Sequence, residues 1–264
     1  MKLPFRESKG QKRLVVANQK GGVGKTLLTL QLGFYLAELD RRVLIVDMDG
    51  QQNITKALLD DDLDQIEGSL TSFQLFDTKE STESPLEVYE GLSLISSTEE
   101  LHDVEAFELD CVANPASHLR RFTNDYDYIL FDTPPSLGRR LMGACAAATH
   151  IVVPLQPAKP ALDGLEALLK TVSTVQHHFN PELKYIGSVV NLLNTRSPRK
   201  KSEYKEMVKT LGKGIIDCPI PILQPIQDAD DDGTPVWYQK SGNGRSAAKV
   251  VKEAITEILK RVQK

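Results

Sequence analysis

The residues best suited to chemistry lie together at 19–26, QKGGVGKT. Gly21, Gly22 and Gly24 let the backbone turn tightly and aim successive N–H groups at an anion. Lys25 adds a cation that can bridge the β- and γ-phosphates, and Thr26 a hydroxyl that suits Mg²⁺. Val23 and Leu27 complete the cradle by position. The run matches the phosphate-binding pattern GxxxxGK[ST] as a variant, because Gln19 stands where the general pattern has its first Gly and Lys20 opens the loop. Carboxylates supply the other half of the chemistry. Asp132 closes the apolar run YILFD, a strand-end position at which a carboxylate holds Mg²⁺ through water. Asp47 and Asp49, in VDMDGQQN, are two residues apart, so both fall on one side of an extended segment. A carboxylate there can orient an attacking water, since phosphoryl transfer is mostly positioning and charge stabilisation. The plainer readings are a Gly-rich turn that binds nothing and solvated loop carboxylates. The Lys-Thr pair at the right offset, between a strand and a helix, argues against them.

These groups need a scaffold that brings them to one edge. Residues 14–17 (LVVA) read as a buried strand, 25–39 as a helix with Leu28, Leu32, Tyr35, Leu36 and Leu39 on one face, and 43–47 (VLIVD) as a second strand. That is a βαβ unit. Further strands are expected at 92–96, 128–132, 151–155 and 185–191, with a short one within 215–222, and helices at 161–178, 202–212 and 246–262. Alternation of this kind predicts an α/β fold, a mostly parallel twisted sheet with helices on both faces. Ligands of such sheets sit at the carboxyl ends of the strands. Residues 1–12 read as a short polar lead-in and 13–264 as a single domain. The stretch 56–90 carries no clear element.

Composition sets limits. The chain has 264 residues, 41% hydrophobic and 26% charged, in the ordinary globular range. No run of about 18 apolar residues suggests a transmembrane helix, and the charged start has no apolar stretch after it to read as a secretory signal. Cys111, Cys145 and Cys218 are scattered and odd in number, which speaks against structural zinc and a disulfide framework. Reduced thiols in a cytoplasmic protein are expected. The formal charge of −4 excludes a uniformly basic nucleic-acid coat. A local patch is another matter. Between 196 and 213 lie seven cations (Arg196, Arg199, Lys200, Lys201, Lys205, Lys209 and Lys213) against Glu203 and Glu206. Lys201, Lys205 and Lys209 are four apart and stripe one helix face. Arg245, Lys249 and Lys252 could extend the patch. The competing reading is a solvated charged face.

The loop KGGVGKT with its leading lysine, together with VDMDGQQN and YILFDTPPS, resembles the ParA/MinD family of deviant-Walker P-loop ATPases, and within it the ParA partition proteins. The resemblance runs from about residue 13 to the C-terminus, and those three motifs carry it. It implies ATP and Mg²⁺ as cofactors and a homodimer that sandwiches two ATP molecules. By the same resemblance Lys20 reaches the partner's nucleotide, Asp49 activates water, Asp47 supports the switch loop, and Asn191 and the region of Pro219–Pro221 contact adenine. Two residues depart from the family: Leu27 replaces a hydroxyl residue, and Gly50 replaces the Pro of the switch loop. The implied function is a nucleotide switch that holds non-specific DNA in its ATP state and segregates or positions a cargo, with hydrolysis stimulated by a ParB-like or other adaptor protein, in the cytoplasm at the nucleoid. Gln224 and the acids at 228–232 stand where relatives often carry arginines, which would displace the DNA surface. A MinD-like membrane switch is the alternative. The stripe Val251, Ala254, Ile255, Ile258, Leu259 and Val262 lacks aromatic insertion residues, so a core-packing helix is expected instead. Nitrogenase-reductase relatives would need bridging cysteines. Amide-ligase relatives are disfavoured by the lysine of the loop.

Overall fold

The protein is described from a computed structural model, which covers residue 7 and residues 9–158, 160–240 and 242–264. Eight strands form one sheet: β1 (Lys12–Val16), β2 (Val43–Asp47), β3 (Leu86–Tyr89), β4 (Leu92–Ile95), β5 (Tyr128–Asp132), β6 (His150–Leu155), β7 (Lys184–Val190) and β8 (Ile215–Ile216), in the order β3-β4-β2-β5-β1-β6-β7-β8. Only the β3–β4 pair is antiparallel. The helices are α1 (Lys25–Ala37), α2 (Asn53–Leu59), α3 (Asn114–His118), α4 (Arg139–Ala147), α5 (Pro160–His178), α6 (Pro198–Leu211), α7 (Gln224–Asp231) and α8 (Gly244–Val262).

The α/β expectation holds, for a reason visible in each central strand. Alternate side chains enter two separate cores, one on each face of the sheet. In β1, Leu14 and Val16 face the core shared with α1 and α8, whereas Val15, and Ala17 just after the strand, face the one shared with α4 and α5. In β2, Val43 and Ile45 take the first side and Leu44 and Val46 the second. Strands buried on both faces read as continuous apolar runs, which is why they were legible. The α8 stripe is buried in the first core, as expected. Among the described residues no helix is long and apolar enough to cross a membrane.

Several boundaries shift. Lys12, assigned to the polar lead-in, already belongs to β1; residues 1–6 and 8 of that lead-in lie outside the described residues. Helix α1 ends at Ala37, because Asp40 turns left-handed (φ 58°). It is buried on nearly every side rather than on one face. Helix α6 begins four residues before its expected start. Ser197 caps it by accepting the Lys200 N–H, and Pro198 occupies the first turn, where no N–H is needed. The unassigned stretch 56–90 contains α2's end, short 3₁₀ turns and the edge strand β3. The acidic run at 228–232 overlaps a helix, α7.

Candidate functional site

Register brings the chemistry together. Val16 of β1 is paired with Asp132 of β5, and Asp132 with Asp47 of β2. The end of the strand feeding the glycine loop and both strand-end carboxylates therefore stand at one level of the carboxyl edge. The loop then turns into α1 at Gly24, the residue before its first turn, which is left-handed (φ 78°). A Cβ at Gly24 would lie 2.1 Å from the Asn191 amide nitrogen, so only glycine fits both the turn and the contact. At Gly21 and Gly22, by contrast, an added Cβ would meet open space. The loop's outer rim is therefore free to wrap an anion, and the N-terminus of α1 points its dipole there.

The side chains follow from that placement. Lys25 is buried, and burial pulls its pKa below the usual lysine range against the opposing pull of Asp132 and Asp49. Thr26 Oγ1 donates to Asp132 Oδ2 at 2.7 Å. Asp132 is fully buried, and burial together with nearby Asp47 pushes its carboxyl up to about 8. Its other oxygen, Oδ1, has no hydrogen-bond partner. A buried carboxylate with one orphaned oxygen, joined to a threonine hydroxyl, is a donor set that suits a hard, water-bearing cation such as Mg²⁺.

Asp47 and Asp49 separate in role. Asp47 is wholly buried, which raises its pKa to about 6. Its Oδ1 accepts the Asp49 N–H at 3.0 Å, and its Oδ2 accepts both the N–H and the hydroxyl of Thr55. It anchors the loop and the start of α2. Asp49 lines the cleft, and its Oδ1 accepts the Gln51 N–H at 3.1 Å.

The cleft measures ≈ 750 Å³ and is lined at one end by Gly21, Gly22, Gly24, Lys25, Thr26 and Leu27. Its other wall was not foreseen. Lys56, Asp60 and Asp61 at the end of α2 and Asp230, Asp231 and Asp232 at the end of α7 line the cleft as well, together with Pro135 and Leu192. Nothing in their sequence positions puts the two acidic runs at one site. They meet because Gly233 lets the chain after α7 press on the Ala57 carbonyl, where a Cβ would approach to 2.4 Å. Asp230 is the least exposed of these; burial, then Asp231, lifts its carboxyl to about 6.

The remaining site residues are placed as follows. Asn191 is fully buried beneath the loop, donating to Val23 O at 2.9 Å and accepting the Leu192 N–H. It supports the loop, and Leu192 rather than Asn191 lines the cleft. Pro221 pairs with Leu193 in an isolated bridge and is likewise absent from the cleft wall. The adenine contacts that the resemblance implied for both therefore have no side chain on this part of the cleft wall. Lys20 is exposed and donates to Gln156 Oε1 at 2.7 Å, while Gln156 donates to Gly22 O. Arg196, in the turn before α6, and Lys201, Lys205 and Lys209 on it are exposed and carry no ion pair among the described residues. Arg199 and Lys200 both pair with Glu203, and Lys200 also donates to Pro157 O at 2.6 Å. Lys200 thus has partners inside the molecule that the other lysines of the run lack among the described residues.

A family model described as an AAA domain matches residues 11–185. The chromosome-partitioning ATPase Soj of Treponema pallidum is 31% identical over 255 residues, covering 92% of this chain and 97% of its own. The chromosome partitioning protein ParA of Caulobacter vibrioides is 31% identical over 258 residues, covering 92% and 93%. The chain belongs to the ParA/Soj family of ATPases. Its fold is also that of the crystal structure of cobyrinic acid a,c-diamide synthase from Mycobacterium smegmatis with bound ADP and magnesium, at a TM-score of 0.77 and 28% identity over 95% of this chain and 94% of that one. As a ParA/Soj protein it is an ATPase with a partition or positioning role and with ATP and Mg²⁺ as cofactors. The glycine cradle, Lys25 and the Thr26–Asp132 pair fit both.

Proposed function

We propose that this ParA/Soj ATPase is a DNA-bound switch that dimerises on ATP, holds DNA without sequence preference, and lets go after hydrolysis. The observation that carries the reading is the join, in one chain read as a single domain over 13–264, of a complete phosphate-and-metal cleft with an exposed cationic helix face. Backbone amides of 21–26 and Lys25 hold the phosphates. Thr26 and Asp132 hold the cation. When bound, Mg²⁺ neutralises charge that develops on the β- and γ-phosphates. Asp49 orients the attacking water from the loop that Asp47 fixes. Lys20, outside its own cleft, is the residue available to a partner protomer's nucleotide.

DNA contact is assigned to Arg196, Lys201, Lys205 and Lys209, with Arg199 at the margin. Phosphate contacts from such a stripe give salt-sensitive binding, and a dimer doubles them. A ParB-like or other cargo adaptor is the expected stimulator of hydrolysis, and the nucleoid in the cytoplasm the expected place of action. The α8 stripe is buried in the core, so that helix offers the membrane alternative no insertion face.

The test is duplex DNA of random sequence with ATP, ADP or no nucleotide. ATP-dependent binding is expected, with persistence in Asp49→Ala because hydrolysis is lost. Replacing Arg196, Lys201, Lys205 and Lys209 by Glu should weaken binding about tenfold or more near 0.1 M salt and leave ATP binding intact. DNA binding indifferent to nucleotide would overturn the switch. A second reading, an ATP-dependent amide ligase, has the synthase likeness behind it. It predicts turnover only with an acid substrate and no response to DNA.

A further inference from the structure

Two loops meet at the cleft, and they have no common sequence neighbourhood. The loop after β2 carries Asp49, and the loop after β5 starts at Asp132 and leads into α4. The segment 97–106, which follows β4 and contains a 3₁₀ turn at Glu99–Ala106, touches both.

On the Asp49 side the contacts are buried and polar. Gln52, itself left-handed (φ 61°), donates its amide to Ser97 O at 2.9 Å. The Ser97 N–H donates to Thr55 Oγ1 at 2.9 Å, and that hydroxyl donates to Asp47 Oδ2. The His102 ring lies over Gly50, where a Cβ would approach Nε2 to 2.6 Å. Gly50, a departure from the family's Pro, is thus filled from outside by an imidazole.

On the Asp132 side the contact is ionic. Glu105 Oε2 accepts the Arg139 N–H at 2.8 Å, and Oε1 accepts from Arg140 Nε at 2.9 Å. Gly138, the residue before α4, has no capping side chain of its own, and a Cβ there would collide with the Glu105 carboxylate at 2.0 Å. Glu105 therefore caps α4 from another element, where a carboxylate is favoured by the helix dipole. Burial raises its pKa, but Arg140 and the α4 amides outweigh burial and hold the carboxyl below the usual range. Arg140 is nearly buried, so Glu105 is the charge partner that makes its burial tolerable.

We infer that Glu105 and His102 are positioning residues that brace the Asp49 loop and the Asp132 loop against each other through the 97–106 segment. The inference rests on the ATPase reading of the cleft, but not on DNA binding or dimerisation. A bracket of this kind couples two loops in both directions, because a coupling free energy is reciprocal. It is a contiguous chain of contacts, and its coupling is measurable.

Hydrogen exchange and turnover test it together, on the full chain. Glu105→Ala should speed amide exchange in 133–142 and also in 48–55, with which Glu105 shares no hydrogen bond or ion pair among the described residues. ATP turnover should fall about tenfold or more, as small misplacements of reacting groups do, while ATP affinity by fluorescence titration stays within about threefold. Glu105→Gln keeps an acceptor for the Arg139 N–H and should recover part of both. His102→Ala, at an exposed side chain, should in turn speed exchange in 133–142. Exchange confined to the mutated side in both variants would overturn the bracket. So would turnover and affinity falling in parallel. If the wild-type chain hydrolyses no ATP, the ATPase reading fails, and the two exchange experiments still decide the bracket.

Discussion

At one end of the cleft, backbone N–H groups, Lys25 and Thr26 converge on the place a polyphosphate occupies. At the other, Asp60, Asp61 and Asp230–Asp232 line the wall, with Lys56 as their cationic neighbour. The two ends act on a nucleotide with opposite sign. The phosphate end is short-range and buried, so its attraction is little screened. The acidic end is mostly exposed, so its repulsion is weak, long-range and salt-dependent. Affinity for an anion is then set by the buried end and trimmed by the exposed one. Binding with Mg²⁺, which reduces the ligand's charge, suffers less from the trimming.

The largest expected effect breaks the attractive end. Lys25→Ala should reduce ATP affinity by about 100-fold or more, since it removes a desolvated charge partner of the phosphates. Retained affinity in an equilibrium titration would show that the loop amides alone define that end. A smaller effect tests the repulsive end. Replacing Asp230, Asp231 and Asp232 by Asn should tighten ATP binding about three- to tenfold at low ionic strength, and the gain should vanish near 0.5 M salt. An unchanged affinity at low salt would remove the acidic wall from the comparison.

The smallest effect concerns stability. Asp132 and Asp47 have pKa values raised by burial to about 8 and about 6. A raised folded-state pKa means the folded protein binds the proton more tightly than the unfolded chain. The stability this gives is present in full below the unfolded value near 4 and is lost as pH rises toward 8. Nucleotide-free protein should therefore lose stability between pH 4 and 8 from these two groups. Asp132→Asn should raise its Tm at pH 8 by about 2–5 °C, with little change at pH 4, while abolishing the Mg²⁺-dependent part of nucleotide binding. A Tm gain that is equal at both pH values would point to packing rather than charge.

The contrast between the two ends is also a contrast in legibility. QKGGVGKT is contiguous, and each residue's job follows from its own type and its neighbours in the chain. Asp132 was readable because an apolar strand announces its own end. The acidic wall is assembled from residues some 170 positions apart that meet only where Gly233 packs on Ala57. Their charge was visible, but their shared address was not. Asn191 and Lys200 show the same limit from the other side. The resemblance put Asn191 near adenine, and only the fold shows its amide donating to Val23 O. Lys200 counts toward the basic run by charge, and only the fold shows its bonds to Glu203 and Pro157 O.

By itself the sequence determined the central βαβ unit, the main parallel strands, the phosphate loop and the strand-end carboxylates beside it. Local rules suffice for those: apolar alternation, glycine turns and strand-end acids. Tertiary structure alone decided which carboxylate anchors and which faces the cleft, what lines its far wall, and how Glu105 comes to cap α4. Each of those depends on burial and on side-chain partners brought from distant segments, and the chain's linear order carries no record of either.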